Sequence, residues 1–168
     1  RYGQRFQEGR LEEFVRNKFD VDDTTELLIL RSVEIDSHFE NHPDTAPNEI
    51  LNALKRIRVA VHKLQDKGFN QVVIATDHGF FMNTHAGAGD TCQKLPGNWL
   101  NIHERCLLGE GAEDPNHYLL SAEKAGIRGD FSKLAGPRSM AAYRSGLLYY
   151  HGGASLQECV VPVLDIQL

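Results

Sequence analysis

The sequence predicts an α/β fold built on a largely parallel sheet with helices on both faces, and three observations carry that reading. Val72-Val73-Ile74 is a short β-branched run bounded by turn signals, which is how a strand covered on both faces reads. Ile50, Leu51, Leu54, Ile57, Val61 and Leu64 repeat at steps of three and four, the signature of an amphipathic helix. Strand-like and helix-like segments alternate along the chain, the order from which helix-covered sheets are made.

The first segment, Gln4 to Lys18, is rich in charge, with Phe6, Leu11, Phe14 and Val15 at a loosely helical spacing. It reads as part of a helical lead-in over residues 1–26 that packs weakly. Leu27-Leu28-Ile29-Leu30-Arg31-Ser32-Val33-Glu34-Ile35-Asp36 follows as an apolar run ending in a carboxylate, and Glu40 comes four residues later. Arg31 inside such a strand must snorkel to the edge or pair with a carboxylate such as Glu34 or Asp36. Pro47 suits the start of the Ile50–Leu64 helix and Gly68 suits its C-terminal cap. That helix would join the Leu27 and Val72 strands as parallel neighbours through a right-handed crossover.

From Phe81 to Ser145 the periodicity gives way to glycine, polar residues and short apolar pieces such as Arg105-Cys106-Leu107-Leu108-Gly109. The expectation is an irregular insertion at about 81–145, lying over the site, with one short strand at Cys106. Gly87-Ala88-Gly89 lacks the third glycine, the helix and the Lys-Ser/Thr of a phosphate loop, and reads as a plain loop. A third strand, Leu147-Leu148-Tyr149-Tyr150, ends at His151-Gly152-Gly153. Ser155-Leu156-Gln157-Glu158 fits a helix capping box, and Val160 to Ile166 closes as an edge strand that tolerates Pro162.

Composition narrows the function classes. The 168 residues, 41% of them hydrophobic, are enough for one core. Eighteen basic residues against 23 acidic ones give a net charge of −5, which argues against a generic nucleic-acid groove while leaving room for a local basic patch. No stretch approaches a membrane span or a signal segment. Cys92, Cys106 and Cys159 lack CxxC spacing and read as reduced thiols of a cytoplasmic protein. The chain opens on Arg1 rather than Met, so it reads as the C-terminal part of a longer protein.

The chemistry concentrates just past strand ends, where open α/β sheets bind their ligands. Asp77 and His78 follow the Val72 strand, Asp36 and Glu40 the Leu27 strand, and His151 the third. Carboxylates and imidazoles without a thiolate suit a hydrolytic Zn²⁺ or Mn²⁺ site better than a closed structural zinc site. His85, Asp90, His103 and His117 are further candidates, each read more simply as a solvated loop residue. Arg128, Arg138 and Arg144 are candidates for gripping a phosphate ester, because a guanidinium engages two oxygens at once. The simpler reading of each is a surface arginine. Ser155 is assigned to capping rather than nucleophilic attack, since no histidine–carboxylate relay is arranged around it.

Three motifs, Arg31-Ser32-Val33-Glu34-Ile35-Asp36 with Glu40, Thr76-Asp77-His78-Gly79-Phe80, and His151-Gly152-Gly153-Ala154-Ser155-Leu156-Gln157-Glu158-Cys159-Val160-Val161-Pro162-Val163, resemble in content and order the PglZ domain of the alkaline phosphatase superfamily. The resemblance implies an alkaline-phosphatase-like sheet, present here as its C-terminal part. It also implies two divalent metal ions, Zn²⁺ or Mn²⁺, with Asp36, Glu40 and His151 on the first and Asp77 and His78 on the second. Glu40 stands where the wider superfamily has histidine, and a third anionic ligand leans towards a harder ion such as Mn²⁺ or Mg²⁺. The family's hydroxyl nucleophile lies at the end of an early strand, which nothing in residues 1–26 resembles, so it is expected outside this chain. The implied activity is that of a metal-dependent phosphatase or phosphodiesterase in a bacterial phage-defence system, acting on a phosphate ester alongside other defence proteins, with this part alone inactive. The alternative is a non-catalytic assembly module of the same system.

Overall fold

The computed structural model describes residues 2–42, 45–83, 91–144 and 148–168. The chain divides into two compact units, residues 1–74 with 164–168, and residues 75–163.

In the first unit a 3₁₀ turn, Gly3–Arg5, leads into strand β1, Phe6–Arg10. β1 lies parallel to β2, Leu27–Arg31, in register from Phe6 opposite Leu27 to Arg10 opposite Arg31. The expected helical lead-in is thus a strand followed by a short helix, α1, Leu11–Val15. β1 has too few apolar residues to read as a strand, and its backbone ladder with β2 supplies what its side chains do not. Gly9 leaves room for Phe19, whose ring would lie 2.7 Å from a Cβ there. Nor does the segment pack weakly: Phe14 is 2% exposed and shares a core with Val21, Ala60 and Leu64. Lys63 closes the end of α1 by donating to the carbonyls of Phe14 and Val15 at 3.2 and 2.7 Å.

β2 stops at Arg31, and helix α2, Glu34–Asn41, begins three residues later. Asp36 therefore sits in the first turn of a helix, not at a strand end. Arg31 pairs with Glu8 of the neighbouring strand at 2.9 Å, in place of Glu34 or Asp36. Helix α3, Ala46–Asp66, carries Pro47 in its first turn as the sequence requires. Its C-terminal stop is also as expected, with Gly68 at φ +86° and the Phe69 amide donating to the Leu64 carbonyl at 3.1 Å. Arg56 of α3 joins α2 through Glu34 at 2.8 Å and also holds Glu49.

β3, Gln71–Ala75, pairs with β10, Val163–Gln167, and β2 pairs with β1, so the direct β2–β3 pairing expected from the crossover is not among the described ladders. β3 has one open face, with Val73 60% exposed.

The second unit holds the largest departure from expectation. Residues 97–137 form a four-stranded antiparallel sheet in the order β5-β6-β8-β7, made of Gly97–Ile102, Leu107–Gly111, Lys133–Pro137 and His117–Ser121, with a register shift between Trp99 and Asn101. Its glycines, which read as loop residues, let strands approach closely: a Cβ on Gly109 would lie 2.3 Å from the Asn98 carbonyl oxygen. Leu95, Leu107 and Ala135 form the buried centre, and the Trp99 indole donates to the Leu95 carbonyl at 2.6 Å. A short antiparallel pair, β4 (Phe81–Met82) with β9 (Tyr149–Tyr150), and the helix α4, Leu156–Cys159, complete the unit. Cys92, Cys106 and Cys159 are all free thiols. No helix among the described residues is long and apolar enough to cross a membrane.

Candidate functional site

Two turns of the second unit present imidazoles to each other. Past β3, the Asp77 carboxylate accepts the His78 backbone N–H at 3.1 Å, and the His78 ring nitrogen Nδ1 lies 3.0 Å from the Gly79 carbonyl. Past β9, His151 places its ring against that of His78, with centroids 4.7 Å apart and planes 9° from parallel. The Asp77 side chain is 87% exposed and that of His78 30%. His103, at the end of the β5–β6 hairpin, brings a third ring within 4.8 Å of His151 at 60°.

Both turns are fastened to α4. The Gly79 N–H donates to the Glu158 carbonyl at 2.9 Å, and a Cβ on Gly79 would sit 2.1 Å from the Gln157 carbonyl oxygen, so a side chain there would break the contact. The Gly153 N–H donates to the Glu158 carboxylate at 2.9 Å, and the Ser155 hydroxyl donates to it at 2.6 Å. The capping box around α4 is therefore present, and Ser155 is engaged in it. Beneath it, Arg105 meets the same carboxylate through Nε at 3.0 and 3.1 Å, and donates to the carbonyls of Ala141 at 2.5 Å and Ser139 at 3.3 Å. Burial of this arginine was not legible in the sequence; the signals that bear on it were its place before the apolar run at Leu107 and the unanswered charge of the capping glutamate.

The remaining candidates are placed as follows. Asp36, half-buried, and Glu40, exposed, lie one turn apart on α2 in the first unit, whereas Asp77, His78 and His151 belong to the second. His38, beside them on α2, bonds Thr45 at 2.7 Å. Arg138 spends its Nε on the His117 carbonyl at 3.0 Å, a structural bond that joins β7 to β8, while Arg144 and Arg128 are exposed. His117 is buried, with Nδ1 2.8 Å from Asp114 and its ring stacked 5.9 Å from Tyr143. That hydrogen bond holds the Asp114 carboxyl below the usual carboxylate range. His85, Asp90 and Gly87-Ala88-Gly89 lie outside the described residues.

Among the described residues no three His, Cys, Asp or Glu side chains converge tightly enough to hold one ion. The donor types nevertheless suit a divalent cation: two adjacent imidazoles and a carboxylate. His78 and His151 thus form an incomplete donor set, to which other ligands would have to be added.

Residues 4–166 match the model of the BREX system PglZ alkaline phosphatase-like domain. The chain belongs to the PglZ family. A relative named alkaline phosphatase-like protein BrxZ, from Escherichia coli O9:H4 (strain HS), is 31% identical over an alignment covering 74% of this chain and 16% of that protein. This PglZ chain therefore spans about a sixth of the relative's length, and the stacked imidazoles fall inside the matched region.

Proposed function

We propose that this PglZ chain forms part of a cytoplasmic, metal-dependent phosphatase or phosphodiesterase of a bacterial phage-defence system, with a phosphate ester as substrate and other defence proteins as partners. The observation that carries this reading is the stack of His78 on His151, two histidines from distant parts of the chain held together at 4.7 Å inside a family-matched domain. Asp77 and His78 would hold one divalent ion, and Asp36, Glu40 and His151 the other, each Zn²⁺ or Mn²⁺. Such a pair supplies an activated attacking oxygen and a stabilised leaving oxygen. The rest of the protein would complete the largely parallel, alkaline-phosphatase-like sheet and bring the hydroxyl nucleophile.

The chain's own contribution is preorganisation. The bonds that the Gly79 and Gly153 N–H groups donate to Glu158 hold both histidine turns against one short helix, so their imidazoles need little reordering when a ligand arrives. The test is made on the purified full-length protein, by metal analysis and by hydrolysis of p-nitrophenyl phosphate and bis-p-nitrophenyl phosphate. The expected result is stoichiometric divalent metal and hydrolysis that Asp77→Ala or His78→Ala abolishes without changing the melting temperature. A metal-free, inert wild type, or full activity in Asp77→Ala, would overturn the proposal.

A further inference from the structure

His103 lies in the segment expected to be irregular, yet three features fix it beside His151. The turn that carries it is closed by its own backbone N–H, which donates to the Cys106 carbonyl at 2.8 Å. The adjoining Glu104 carbonyl accepts the Tyr143 N–H at 2.7 Å, and Arg105 next to it is locked in its buried ion pair. Gly152 makes the room: a Cβ there would lie 2.9 Å from His103 Nδ1. The first glycine of the His-Gly-Gly motif thus serves two ends, a turn at φ +83° and a space that admits a third imidazole against the second.

An apolar side chain would fill that space as well, but it would bring no donor to the surface. The His103 residue is exposed, so its ring is open to a ligand approaching His151. Its distance from His151, one ring outward, suits a contact with what the inner pair binds. The non-bridging oxygens of a phosphate ester are strong acceptors, and an imidazole N–H is a donor of the right reach.

We propose that His103 is a substrate-contacting residue of the His78/His151 site, its imidazole donating a hydrogen bond to a non-bridging phosphate oxygen. The proposal rests on the phosphohydrolase reading above. It assigns the antiparallel sheet of the second unit a role in phosphate recognition.

The test uses the full-length, metal-loaded protein as wild type, His103→Ala, His103→Asn and, as a control, the exposed α3 residue His62→Ala. Each is measured for metal content, for inorganic phosphate affinity by calorimetry, and for kcat and KM on p-nitrophenyl phosphate. Loss of one hydrogen bond to a charged oxygen corresponds to about a tenfold fall in phosphate affinity. His103→Ala should therefore bind phosphate about tenfold more weakly and raise KM, at unchanged metal content and melting temperature. His103→Asn, which keeps an N–H donor, should recover part of the affinity, and His62→Ala should match wild type. Unchanged phosphate affinity in His103→Ala, in a wild type that binds phosphate and hydrolyses ester, overturns this proposal and leaves the phosphohydrolase reading standing. Loss of metal in His103→Ala would make it a metal-holding residue and also overturn the proposal. A wild type that neither binds phosphate nor hydrolyses ester removes both readings.

Discussion

Arg105 and Glu158 form an ion pair at 3.0 Å with side chains only 3% and 1% exposed, and this pair links the three segments that carry the clustered imidazoles. The Glu158 carbonyl receives Gly79, its carboxylate receives Gly153, and Arg105 stands two residues beyond His103. Charges this deeply buried are costly unless their remaining hydrogen-bonding capacity is used. Here it is used, through Ala141 and Ser139 on one side and Ser155 on the other.

Breaking the pair should therefore be severe. Glu158→Ala leaves a buried guanidinium uncompensated, and the expected loss is about 3–5 kcal/mol by urea denaturation. The double variant Arg105→Met with Glu158→Leu removes both charges and should recover much of that loss. It should stay below wild type, because the Gly153 and Ser155 donors lose their acceptor. A single Glu158→Ala variant as stable as wild type would show that the pair contributes nothing.

Gly152 should tolerate no side chain while His103 is present. Alanine at a left-handed φ costs about 1–2 kcal/mol by itself, and the contact with His103 Nδ1 adds to it. Adding His103→Ala to Gly152→Ala should return the steric part and leave the backbone part. A double-mutant cycle with no coupling between the two would place the His103 ring elsewhere.

Acid should weaken an ion pair within α3, between Glu49 and Arg56. The hydrogen bond from Arg56 holds the Glu49 carboxyl below the usual carboxylate range. A carboxylate with a depressed folded pKa contributes stability that is full above its unfolded value, about 4.3, and is lost as pH falls through the folded value. Glu49 and Arg56 both belong to α3, so protonating Glu49 removes the contribution of that pair while Arg56 keeps its partner Glu34 on α2. Glu49→Gln should flatten the decline in urea midpoint between pH 5 and pH 3 relative to wild type. An identical decline in both proteins would count against it.

Cysteine labelling offers a check on the second unit. Burial pushes the Cys106 thiol up to about 11, whereas Cys159 is exposed. Since the thiolate is the reactive form, iodoacetamide at pH 8 should modify Cys159 first and Cys106 slowly. Equal rates in the native protein would mean that the sheet around Cys106 is open.

Local sequence determined those parts of the protein whose physics is local. The 3–4 spacing from Ile50 to Leu64, with Pro47 before it and Gly68 after it, specifies α3 almost to the residue, because amphipathic periodicity and caps act within a turn or two. The capping box at Ser155 and the strand before Asp77 were legible for the same reason. β1 and the four-stranded sheet were not, since their strands depend on backbone pairing with partners far along the chain. Gly109, which reads locally as loop, and Gly9, which falls inside the expected helical lead-in, are there to let a neighbouring strand or a ring come close. Likewise, Asp77, His78 and His151 stood out by residue type, but the partnership of His103 with Gly152 and of Arg105 with Glu158 was decided by tertiary structure. Each joins residues about fifty apart, through a hole the size of a missing Cβ in one case and a buried charge needing its counter-charge in the other, and neither leaves a pattern in the residues beside it.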